Sequence, residues 1–254
     1  MLRWLRQFLP ARCPEPSQTV FQTLRLIKAK YDAAATTDEN RRAWRNGDDL
    51  SAHGAENTEV RRLLRIRSRY EVANNSYAKG LVLTLAHDTV GTGPRLQLLT
   101  PDNSVNHRIE QEFCQWCRTI RLAEKLRTMR MARAADGEAF ALLTDNQALP
   151  SAIKLDVQLV ECDQVTTPDL SLNAMRAIDG IRFDSDGNPV EFHILRDHPG
   201  DPHAGMDFKY DRIPARNVIH SYRADRPGQA RGVPDTPPAL PLFAHLRRYT
   251  LAVM

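Results

Sequence analysis

Ile219-His-Ser-Tyr-Arg-Ala-Asp-Arg-Pro-Gly-Gln-Ala-Arg-Gly-Val-Pro234 is the stretch on which the reading of the fold turns. It joins an apolar strand end to the start of a helix through a loop rich in arginine. Pro227 and Pro234 punctuate the loop, and proline fixes φ and offers no amide donor, so a helix begins after such a residue more readily than it runs through one. Residues 226–254 therefore open a helix, which Pro241-Leu-Phe-Ala-His-Leu-Arg-Arg-Tyr-Thr-Leu-Ala-Val-Met254 continues with an apolar pattern and no glycine cap.

Upstream of this loop the pattern over 144–225 is one of short strands. Leu155 to Glu161 alternates, and Gly180–Phe183 and Val190–Ile194 flank Asp184-Ser-Asp-Gly-Asn-Pro189, whose Asp186-Gly187 pair is a strong hairpin signal. A calcium loop counted from Asp184 would place Leu195 where a bidentate glutamate is needed, which rejects it. Residues 57–143 are mainly helical. Glu56 to Ala86 reads as one long helix capped by Asn57 or Thr58, with Val60, Leu63, Leu64, Arg67, Tyr70, Val72 and Tyr77 tracking the turns and Gly80 a candidate break. Ile109 to Ala135 reads as a second, ending at Gly137-Glu138-Ala-Phe, where a strand starts. Between them, Val90-Gly-Thr-Gly-Pro94 lacks the Gly-Lys-Ser/Thr of a phosphate loop and reads as a tight turn into a strand at Arg95–Leu99. Residues 1–56 supply a helix or arm over 18–34, then a polar loop anchored by Trp44.

Chemistry-bearing residues are sparse in pattern. Cys114 and Cys117 lie mid-helix with no second pair to complete a zinc site, and Cys162 belongs to no nucleophile elbow. His193, His198 and His203, with Asp197 and Asp201, form the densest set of possible metal ligands, but Pro199 and Pro202 deny them a common helical face, which favours an exposed loop. Residues 1–80 hold 15 Lys/Arg against 9 Asp/Glu, with Arg61, Arg62, Arg65, Arg67 and Arg69 the densest group. These arginines read as a solvated face or as contacts to a neighbouring subunit or to DNA. Glu138 has no sequence neighbour to pair with and reads as a capping or inter-subunit partner rather than a catalytic acid. No run approaches the roughly 20 apolar residues of a membrane helix. Two further classes stay open: a DNA-binding regulator acting through Arg61 to Arg69, and a metal-dependent hydrolase using the histidines.

His220, Arg226, Pro227, Gly228, Gln229, Arg231, Gly232 and Pro234 together resemble the signature of the lambda family of bacteriophage portal proteins, specifically its N-terminal portion. Further segments are similar to that family in order: Arg69, Asn74, Asn75, Tyr77 and Ala78; the Gly91 and Gly93 turn; Gly137-Glu138-Ala-Phe; Val160 through Val165, with Glu161, Asp163 and Gln164; Ile178 to Ile181; and His198 to Asp201. The resemblance implies an α+β fold, with long helices flanking a region of short antiparallel strands in the wing, stem and clip portion of a portal. It implies a structural, non-enzymatic subunit with no cofactor. Such subunits join, usually as twelve copies, into a homo-oligomeric ring at one capsid vertex of the virion, after assembly in the host cytoplasm. Implied partners are double-stranded DNA, terminase, capsid and scaffold proteins, and head-completion or tail proteins, with no membrane. The motifs correspond to about the first half of a full portal, so a truncated or prophage-encoded form is expected.

Overall fold

A computed structural model gives the fold and describes residues 37–38, 41–167, 177–202 and 209–253. The chain divides into two units, 1–49 and 50–254. In the first, residues 41–46 form turns and Trp44 is exposed rather than packed as an anchor. The arm expected over 18–34 lies outside the described residues.

The second unit opens with α1 (Ala52–Ala55), α2 (Thr58–Asn74), α3 (Ser76–Val90), α4 (Asn103–Thr119) and α5 (Leu122–Asp136). The strands β1 (Glu138–Asp145), β2 (Leu155–Val160), β3 (Ala177–Ile178), β4 (Ile181–Phe183), β5 (Pro189–Leu195), β6 (Tyr210–Pro214) and β7 (Val218–Tyr222) follow, and α6 (Leu240–Val253) closes the described chain. This is the expected α+β class, helices with antiparallel sheets.

Both long helices expected from periodicity are broken. The first breaks at Asn75, not Gly80, which sits inside α3. Asn75 leaves helical geometry at φ −128°, and its Oδ1 accepts from Tyr77 N at 3.0 Å and Ala78 N at 3.4 Å, so one residue ends α2 and caps α3. The second breaks at Arg121, whose φ of 54° is left-handed. Its first half starts earlier than the periodicity indicated, where Asp102 accepts from Ser104 N at 2.9 Å and Val105 N at 3.2 Å. The Val90–Pro94 turn forms, but residues 95–99 are not a strand; Leu98 N instead donates to the Glu110 carboxylate at 2.8 Å.

β1 is the pivot of the fold. It lies between β2 and β7 in a three-stranded antiparallel sheet, and β3-β4-β5-β6 form a second, four-stranded one. Its alternation divides the core. Ala139 and Ala141 pack with Ile120, Leu122, Met129 and Val157 on the α5 side, while Phe140 packs with Cys162, Val165, Ile181, Phe192 and Ile194 toward the second sheet. Small residues on one side and a phenylalanine on the other let the helix approach closely while the wider gap between sheets is filled. A Val165–Ile194 bridge ties the second sheet to the turn after β2.

The Asp186-Gly187 turn connects β4 and β5 as expected, with Asp184 accepting from Asp186 N at 2.9 Å and Asn188 N at 2.8 Å. A second Asp-Gly pair makes a tighter hairpin. Asp179 and Gly180 alone join Ile178 to Ile181, both at positive φ (41° and 86°), the geometry whose twist matches paired strands.

Candidate functional site

α2 turns its arginines inward. Arg61 and Arg65, one helical turn apart, are buried with Ser68 and Glu71, and Arg69 continues the row half-buried. Arg61 hydrogen-bonds the Glu56 carbonyl and the Asp179 carboxylate. Arg65 lies 3.0 Å from Asp163 and 3.7 Å from Glu138. Arg69 reaches Asp136 at 2.6 Å and Asp163 at 2.8 Å, with Glu161 at 3.7 Å. The reading of Arg61 to Arg69 as a solvated or intermolecular face therefore fits the positions of Arg62 and Arg67, which are exposed; the other three pair inside the chain.

The quoted loop meets this row from the other side. Arg231 is buried and donates from Nε and Nη2 to Glu138 at 2.7–3.0 Å, from Nη2 also to the Cys162 carbonyl at 3.2 Å, and from Nη1 to the carbonyls of Val165 at 3.0 Å and Asp179. Glu138 also accepts from Gly232 N at 3.1 Å and His220 Nε2 at 3.0 Å. Glu138 is thus neither a helix cap nor a free acid but the centre of the cluster. Four guanidiniums (Arg61, Arg65, Arg69, Arg231) face four carboxylates (Asp136, Glu138, Asp163, Asp179), so the buried charge balances. Balance is what makes the burial tolerable, because an unpaired buried charge costs several kcal/mol.

Further residues of the loop serve that clasp. Gln229 shapes it, accepting from Asp225 N at 2.7 Å and Arg226 N at 3.2 Å and donating to the Arg231 carbonyl at 2.9 Å. Tyr222 holds the Gln229 carbonyl at 3.1 Å, and Arg226 reaches the Leu50 carbonyl at 3.0 Å. Gly232 passes so close to Gly137 that a Cβ on it would sit 2.1 Å from the Gly137 oxygen; a Cβ on Gly137, at φ 94°, would meet Val233 at 2.3 Å. Beyond, Asp235 N donates to the Ala134 carbonyl at 3.0 Å and Thr236 to the Ser68 hydroxyl at 2.7 Å. The loop stitches α2, the end of α5, β1 and the Asp179 turn into one body.

The electrostatics poise none of Glu138, His220 and Cys162 for reaction. Burial alone would raise the Glu138 carboxyl, but the Arg231 charge and hydrogen bonds from His220 and Arg231 outweigh it and hold the group well below the usual carboxylate range. Burial lowers His220 below its ordinary value, with Glu138 opposing, so the imidazole is neutral at pH 7. Its Nε2 carries the proton, since ionised Glu138 can only accept. The ring is stacked between Phe140 and Tyr222, 4.3 Å from each. Burial pushes the Cys162 thiol up despite Arg65, so it stays protonated and is a poor nucleophile.

The metal set considered from sequence is not assembled among the described residues. His193 turns to Glu191 at 3.0 Å and His198 to Glu161 at 3.4 Å, while His203 lies outside the described residues. Glu161, Asp163 and His198 do converge at ligand spacing. The two guanidiniums already on Asp163 oppose a cation there. Of the other motif positions, Gln164 donates to the Leu195 carbonyl at 3.1 Å, Asn74 to the Tyr70 carbonyl at 2.8 Å, and Tyr77 is exposed. Gly91 N and Gly93 N close the turn after α3 onto His87 and Val90 at 2.8 and 2.9 Å. Sequence reading missed Asp136 and Asp179 as partners, and the signal available was the four-residue spacing of Arg61, Arg65 and Arg69, which aligns them on one helical face.

Fold and site together define a scaffold module whose most distinctive residues are spent on holding elements together. A family model described as phage portal protein, lambda family, matches residues 38–254, and the chain belongs to that family. It is also similar to the "Probable portal protein" of Halomonas phage phiHAP-1, 28% identical over an alignment of 187 residues that covers 66% of this chain and 36% of that protein. The chain thus spans about a third of the length of the curated relative it matches.

Proposed function

We propose that the chain is a structural subunit of a phage portal, part of a ring through which DNA is packaged and ejected. The observation that carries this reading is the use of the family signature. His220, Gln229, Arg231 and Gly232 all converge on Glu138 or its neighbours as a buried clasp, as a scaffold requires and a catalytic centre does not. The working location is a capsid vertex of the virion, reached after assembly in the host cytoplasm. No described helix is long and apolar enough to cross a membrane.

The ring takes several copies of the chain, twelve in the arrangement the family resemblance implies. Its partners are double-stranded DNA in the channel, the terminase motor that hydrolyses ATP, capsid and scaffold proteins, and head-completion or tail proteins. A DNA regulator acting through Arg61 to Arg69 is disfavoured because three of the five arginines are committed to internal carboxylates. Light scattering on the purified chain, followed by negative-stain imaging of any large species, tests the proposal. Rings with a central hole are expected. A chain that stays monomeric and retains stoichiometric zinc would overturn it.

A further inference from the structure

The polarity of α2 is inverted, with charge inside and apolar side chains outside. Val60, Leu63, Ile66 and Tyr70 are 37%, 43%, 49% and 52% exposed and, at spacings of three and four, form a ridge along one face. Arg62 and Arg67 flank this ridge from exposed positions; Arg62 pairs with Glu59 at 3.1 Å, whereas Arg67 makes no ion pair with a described residue and is the freer cation. A continuous apolar ridge edged by cations is the pattern of a surface that meets a partner.

The same unit carries a matching concavity. A cleft of about 860 Å³ opens between the β4–β5 hairpin and β7, walled by Ile178, Phe183, Pro189, Val218 and Tyr222. Its rim at the hairpin tip is acidic. Asp184 lines it, held in place by the amides of Asp186 and Asn188, and Asp186 stands exposed beside it. Apolar ridge with basic flanks and apolar cleft with acidic rim are complementary in both respects, and they lie on different elements of one chain.

We infer that the α2 ridge of one copy docks in the β4–β5/β7 cleft of the next copy, with Arg62 and Arg67 meeting Asp184 and Asp186. The inference rests on the portal reading for its occupant, a second copy of this chain. Because ridge and cleft are different surfaces, the contact is head-to-tail, the kind from which a ring closes when the rotation per copy divides a full turn. It also gives the inverted helix a reason: the inward arginines fix α2 against its own body while the outward face remains for the neighbour.

The test is complementation between two half-defective variants, followed by light scattering and native mass spectrometry. Ile66→Asp spoils the ridge and Ser185→Trp fills the cleft; both positions are exposed, so melting temperatures near wild type confirm folding. Each variant alone is expected to lose assembly and run at monomer mass. Their equimolar mixture, which holds one intact ridge and one intact cleft, is expected to double in mass and grow no further. On the charge pair, Arg67→Glu should weaken assembly and Asp186→Arg in the same chain should restore it. A wild type that assembles while both folded variants assemble equally well overturns the interface and leaves the portal reading standing, as does a mixture that stays monomeric. A wild type that stays monomeric at every concentration overturns the interface, and the zinc content of that monomer then decides the portal reading.

Discussion

At the residue scale, Glu138 sets the terms for its neighbours. It is fully buried, yet it stays ionised because Arg231, His220 and Gly232 N supply a charge and directed donors to both oxygens. The neutral His220 has a consequence for pH dependence. Its folded pKa lies below the ordinary 6.5, so on acidification the unfolded chain takes up a proton first. The stability it contributes is present above about 6.5 and is lost as pH falls through the folded value, and depressed Glu138 extends the same trend below 4.5. His220→Gln keeps a donor at the Nε2 position without the titration. The variant is expected to flatten the fall in melting temperature that sets in below about pH 6.5 in the wild type. Comparing the two chains isolates His220 from Asp136, which burial raises despite its pairing with Arg69 and which acts in the opposite sense. Gly232→Ala should unfold the chain or destabilise it by about 3 kcal/mol or more, measured by urea denaturation, because its Cβ would collide with a backbone oxygen that cannot move away.

At the element scale, α2 shows which features were legible from sequence and which were not. Asp-Gly at 186–187, the alternation of β2 and the helix starting at Asn57 follow local rules of turns, pleats and caps, and all appear. The facing of α2 did not follow, because periodicity marks two faces without saying which is inward. Apolar residues at 60, 63, 66 and 70 form one stripe and the arginines at 61, 65 and 69 another. What decided between them was a set of carboxylates at 136, 138, 163 and 179, far along the chain. The helix breaks at Asn75 and Arg121 escaped notice for a related reason: a periodic pattern persists across a one-residue interruption. The inverted facing separates the arginines in effect. Arg67→Glu should change folding stability by no more than about 0.5 kcal/mol. Arg65→Glu, placing an anion beside Asp163 and Glu138, should cost about 3–5 kcal/mol. Guanidinium melts of the two variants check the contrast, and equal losses would contradict the facing.

At the scale of the whole molecule, the clasp explains the course of the loop from Arg226 to Pro234. Arg231 and Glu138 are 93 residues apart, and the segment between them contains every strand of both sheets. Closing the pair fixes the sheets, α2 and the approach to α6 at once. A buried, charge-balanced junction holds these elements together without using exposed surface. The central claim is that Arg231 and Glu138 act as one structural unit. The most direct measurement is a double-mutant cycle on folding stability with Glu138→Gln, Arg231→Met and both together. Each single change should cost about 3–5 kcal/mol by stranding a buried charge, and the double should cost less than their sum by about 2–3 kcal/mol. Losses that add to within about 0.5 kcal/mol would mean the two residues act independently and would contradict the account.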